Sequence, residues 1–107
     1  MSSSTNMVVV LCTAPDKSVA QRIAASLVEN QLAACVNLLE GLTSVYEWQG
    51  DIVEDTECQL IIKTQQKCID EAYRLVLSLH PYDVPEWVCI DAGASDAYFN
   101  WMKQTLK

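Results

Sequence analysis

Apolar positions along the chain fall into two alternating periods, and their order predicts a small α+β domain. Residues 8–13 (VVVLCT) form a short, nearly continuous apolar run rich in β-branched side chains, which reads as a strand covered on most of both faces. Ala14-Pro15-Asp16 ends it, and Asp16 is placed to cap a helix over 17–30. There Val19, Ala20, Ile23, Ala24, Leu27 and Val28 make one apolar stripe, and Asn30 is the stop. Residues 32–39 predict a second strand, interrupted at Gly41, and 42–48 resumes with alternation. Gln49-Gly50 supplies a two-residue turn with a glycine for positive φ. In the return strand, 51–63, Ile52, Glu54, Thr56, Cys58, Leu60 and Ile62 share one face. Thirteen extended residues reach roughly 40 Å, longer than so small a domain covers by itself.

Residues 65–80 predict a helix with Ile69, Ala72, Tyr73, Val76 and Leu77 as its stripe. His80 ends it, because Pro81 disfavours the helical region for the residue before it. A last strand is expected over 86–92, a turn at Gly93, a cap at Ser95 or Asp96, and a closing helix over 97–106 carrying Tyr98, Phe99, Trp101 and Met102. The order βαββαβ plus a C-terminal helix is that of a ferredoxin-like antiparallel sheet with an extended hairpin. Helices with one apolar stripe cover one face of such a sheet. Tyr46, Trp48, Trp87 and Trp101 are then too many large aromatics for the surface of a monomer, and self-association through sheet edges is expected.

The chain has 107 residues, which supports one domain, taken as 7–107 behind a disordered tip at 1–6. Fourteen acidic side chains against seven basic ones give a formal charge of -7. A surface of that sign argues against nucleic acid or an anionic membrane as the partner. Residues 1–6 carry no basic stretch ahead of the short apolar run, so a cytoplasmic location is expected. Five cysteines, an odd number without a C-x-x-C pair, fit neither a disulfide framework nor zinc-finger spacing and read mostly as small core hydrophobes.

Candidate chemistry is sparse. Cys12 is either a buried thiol or a soft ligand suited to Cu(I). His80, the single histidine, sits at a helix C-terminus where the dipole favours its charged form; it is either a hydrogen-bonded structural group or a metal ligand. The acidic run Glu47, Asp51, Glu54, Asp55, Glu57 is split between strand faces and reads as a solvated surface. No Gly-rich phosphate loop or G-x-S-x-G is present, and no enzymatic activity is expected.

Five stretches taken together resemble CutA, the divalent-cation tolerance family: VVVLCTAP (8–15), LAACVN (32–37), YEWQG (46–50), the run 57–64 ending in Lys63-Thr64, and HPYDVPE (80–86). The resemblance spans about a hundred residues in order and implies a homotrimer of ferredoxin-like subunits, related in shape to the PII signalling trimers. It also implies a link to copper and other divalent ions through three positions. One is the cysteine of the LCTAP strand, here Cys12, and the others are adjacent histidines before Pro-Tyr. The second of that pair is His80, but the first is Leu79, which donates nothing to a metal. Copper bound by Cys12 and His80 is therefore the first functional expectation. The other is a PII-like regulatory or scaffold trimer that takes a small ligand or protein in clefts between subunits.

Overall fold

The computed structural model describes residues 2–107, with side chains from Asn6 onward. The chain runs through β1 (Ser2–Ala14), α1 (Lys17–Glu29), β2 (Cys35–Trp48), β3 (Asp51–Gln65), a 3-10 turn (Gln66–Cys68), α2 (Ile69–Leu79), β4 (Val88–Ala94) and α3 (Asp96–Thr105). The four strands form one antiparallel sheet in the order β2-β3-β1-β4. This is the expected ferredoxin-like α+β order with its closing helix. Of the tip expected to be disordered at 1–6, Met1 lies outside the described residues, and 2–6 belong to β1.

Alternation builds the core. Val8, Val10, Cys12 and Ala14 of β1 and Cys58, Leu60, Ile62 and Thr64 of β3 point to one face and are buried. Ala20, Ile23 and Leu27 of α1 and Ile69, Ala72 and Val76 of α2 close over them. Removing a side chain such as Leu60 or Ile62, both fully buried, costs about 2–5 kcal/mol. The opposite, open face carries Val9 and Leu11 beside Ile90 and Val88 of β4, and Ile61 and Lys63 of β3. On that side Tyr98 of α3 lies under the Lys63 ammonium, 6.0 Å from the ring centre.

Local signals explain most boundaries. Asp16 accepts from the Val19 amide at 2.9 Å and starts α1. Gln31, at φ 58°, reverses the chain after α1, and the amides of Leu32 and Ala33 then close on the Leu27 carbonyl. Leu32 and Ala33 are thus consumed in ending the helix, Ala34 donates its amide to the Lys63 carbonyl of β3, and β2 starts at Cys35 instead of 32. The strand is not interrupted at Gly41: the register passes from Leu39 opposite Gln59 to Leu42 opposite Glu57, a bulge of one extra residue with Gly41 at φ 74°. Gln49 and Gly50, at φ 51° and 90°, make the tight turn expected between β2 and β3.

Four expectations change in detail. Residues 66–68 are a 3-10 turn, so α2 begins at Ile69. Leu77 faces solvent, and Leu75 and Leu79 instead support the core. Gly93 lies inside β4, which runs two residues past the expected end. Cys89, read as core filler, is exposed on that edge strand.

Candidate ligand-binding site

His80 is buried, and the fold uses both of its ring nitrogens. Nε2 lies 2.7 Å from the Thr13 carbonyl, which only accepts, so Nε2 carries the proton. Nδ1 accepts the backbone N–H of Tyr82 at 3.1 Å. The two bonds give the ring nitrogens opposite roles, Nε2–H donating and Nδ1 accepting. Pro81 places this imidazole: it leaves the His80 backbone extended at ψ 135°, and the ring turns back toward β1.

Cys12 lies next to this contact. Its thiol donates weakly to the same Thr13 carbonyl at 3.8 Å, and its own carbonyl accepts from the Gln59 amide at 2.9 Å. Burial first, and then the negative fields of Glu86 and Glu57, push the thiol up to about 12. The structure therefore brings Cys12 and His80 together around one carbonyl, with the sulfur protonated and the imidazole fully engaged. Leu79 beside them half-faces the core. Among the described residues no three His, Cys, Asp or Glu side chains converge as a metal ion requires. A metal held by Cys12 and His80 in one subunit does not fit this arrangement.

A larger feature lies on the open face. A cleft of about 990 Å³ separates the outer half of the β2–β3 hairpin from the loop 82–86. Its walls include Thr13, Tyr46, Trp48, Glu57, Tyr82 and Glu86. Register explains the meeting. Thr13 opposes Gln59, Leu42 opposes Glu57, and Tyr46 opposes Val53, so all of these side chains share one face. The loop folds over them because Tyr82 donates its hydroxyl to Glu57 at 2.8 Å and Gln59 donates to Glu86 at 3.3 Å. Tyr46 donates to Asp55 at the rim. Burial, and then the bond to Glu57, raise the Tyr82 hydroxyl above the ordinary tyrosine range.

Glu57 was expected on a solvated acidic face, and it is instead 8% exposed. Only the proline pair at 81 and 85 hinted in the sequence that 82–86 is a fixed loop able to cover it. Glu47, Asp51, Glu54 and Asp55 are exposed as expected.

The family profile described as CutA1 divalent ion tolerance protein matches residues 8–105. This chain belongs to that family. CutA of Thermus thermophilus, a divalent-cation tolerance protein, is 46% identical over 97 residues, covering 90% of this chain and 94% of its relative. The chloroplastic CutA of Arabidopsis thaliana is 41% identical across 94% of this chain and 56% of that protein. Among solved structures, CutA1 from Oryza sativa superposes with a TM-score of 0.92 at 38% identity, covering 97% of this chain and 98% of that one. The Thermus protein superposes at 0.91 with 44% identity, over 94% and 99% of the two chains. Of the stretches that carried the resemblance to CutA in the sequence, four contribute to the cleft, with Thr13, Tyr46, Trp48, Glu57, Tyr82 and Glu86 among its walls, and 32–37 does not.

Proposed function

We propose that this chain serves divalent-cation tolerance as a cytoplasmic homotrimer that binds a ligand and catalyses nothing, and that the ligand's place is the cleft under loop 82–86. The observation that carries this reading is the gathering of family-motif residues from four separated stretches around that one cleft. The trimer is supported by the open sheet face, where Leu39, Val88 and Ile90 are about half exposed, and by the projecting hairpin with Ile52 at 74% exposure. A second copy covering that surface removes the apolar area from water, and a closed ring avoids open-ended growth. Five free thiols suit a reducing compartment.

Copper at Cys12 and His80 is a second reading, favoured by one observation: both groups contact the Thr13 carbonyl. It requires the thiol to lose its proton and the imidazole to release one of its two bonds. Thermal shifts with copper, other divalent ions and small organic ligands separate the readings when run on the native protein, Cys12→Ser, His80→Ala and Glu86→Gln. The cleft reading expects Glu86→Gln to change a ligand's stabilising effect and Cys12→Ser to leave that of copper intact. Loss of copper's effect in both Cys12→Ser and His80→Ala overturns it in favour of the second reading. Sedimentation at micromolar concentration tests the assembly, and a lone folded protomer refutes the trimer.

A further inference from the structure

We propose that the cleft is a site for a small organic cation, a primary amine or guanidinium on a short apolar frame; this rests on the reading that the cleft is where the ligand binds. The walls carry one sign of charge. Glu57, Glu86 and Asp83 line the cleft, Asp55 sits at its rim beside Tyr46, and no lysine or arginine faces it among the described residues. Such a one-signed, partly dry concavity concentrates cations.

Two buried polar groups are also aimed into the cleft. Thr13 is 7% exposed and lines the cleft, and its hydroxyl has no partner among the described residues. Glu57 is equally enclosed: one oxygen accepts from Tyr82, and the other has no partner among them. No fully enclosed side-chain polar atom of the described chain lacks a partner, so these two atoms reach the solvent of the cleft. A carboxylate oxygen held this way asks for a donor, and it is costly to cover without one.

The aromatic walls decide between kinds of cation. A divalent ion needs several oxygens at about 2.0–2.6 Å, and no three acidic, cysteine or histidine side chains converge so closely among the described residues. An ammonium or guanidinium instead donates at ordinary hydrogen-bond lengths and spreads its remaining surface over aromatic faces. Tyr46, Trp48 and Tyr82 supply those faces beside the carboxylates. The volume suits a small molecule with room for its apolar frame.

The test uses the full-length, assembled protein labelled with ¹⁵N, read at the Trp48 indole N–H and the Tyr82 backbone amide. Butylammonium and agmatine are titrated beside the neutral and anionic counterparts butanol and butyrate. Both cations are expected to move both signals saturably, and Glu57→Gln and Glu86→Gln are each expected to weaken them about tenfold. Glu86 is exposed, so its variant keeps the test alive where Glu57→Gln fails to fold. Butanol or butyrate binding as tightly as the cations, or cation binding unchanged in Glu86→Gln, overturns the organic-cation site while the cleft still stands as a ligand site. Silence of both signals with every probe overturns the two readings together.

Discussion

The imidazole of His80 is bonded to the carbonyl of Thr13, 67 residues earlier in the chain, at 2.7 Å. One side chain thereby fastens the end of α2, the start of loop 82–86 and the end of β1 to each other. Its second nitrogen, bonded to the Tyr82 amide, sets where the loop leaves the helix. The fold commits its only imidazole to this junction.

His80→Ala is accordingly a stability variant. It leaves a buried carbonyl and a loop amide without their partner, at a cost of about 1–3 kcal/mol. Urea unfolding should show a lower midpoint with an unchanged slope. An unaltered midpoint would show that water replaces both bonds.

Cys12 makes stability depend on alkaline pH. Its ordinary value is 9.0, and in the fold it stands at about 12, so between those values the native state holds a proton that the unfolded chain has lost. The thiol's contribution is complete below pH 9 and is lost as pH rises toward 12, at most about 4 kcal/mol over the whole window. Unfolding at pH 8 and pH 10.5 should therefore give a smaller difference for Cys12→Ala than for the native protein. At pH 8, Cys89 should react with a thiol reagent long before Cys12.

Tyr82→Phe removes the hydroxyl that closes the loop onto Glu57. About 1 kcal/mol of stability should be lost, with the cleft left wider. In an ultraviolet titration of the native protein, a tyrosine should ionise well above the ordinary range, and that step should vanish in the variant.

At the hairpin tip, Gly50 stands at φ 90° with open space where a Cβ would go. Gly50→Ala therefore tests the backbone alone, and a loss of about 1 kcal/mol is expected from the left-handed conformation. Equal stability would mean that the turn relaxes to another type.

Much of this fold is legible where periodicity and caps agree. The stripe of α1, its Asp16 cap and the alternation of 58–64 need no tertiary information. Boundaries failed where a backbone group was claimed by a neighbouring element: residues 32–34 look like strand because they are apolar, but the Leu32 and Ala33 amides are taken by the end of α1. The site was harder. Cys12 and His80 do meet, as their motif implies, but burial and two hydrogen bonds alter what they offer, and neither is visible in spacing. Glu57 reads as surface because the loop that covers it lies 25 residues later.

The bulge at Gly41 inverts the parity of β2. Before it, even-numbered Val36 and Leu38 oppose Ile62 and Leu60 and side with the helices; after it, even-numbered Ser44, Tyr46 and Trp48 emerge on the far surface. One supernumerary residue thus hands the aromatics from the helical side to the walls of the cleft. Ironing it out while keeping the chain length would swing Tyr46 and Trp48 to the helical side and leave the carboxylates facing bare strand. Which side chains meet loop 82–86 is therefore decided at position 41, well before the chain reaches them.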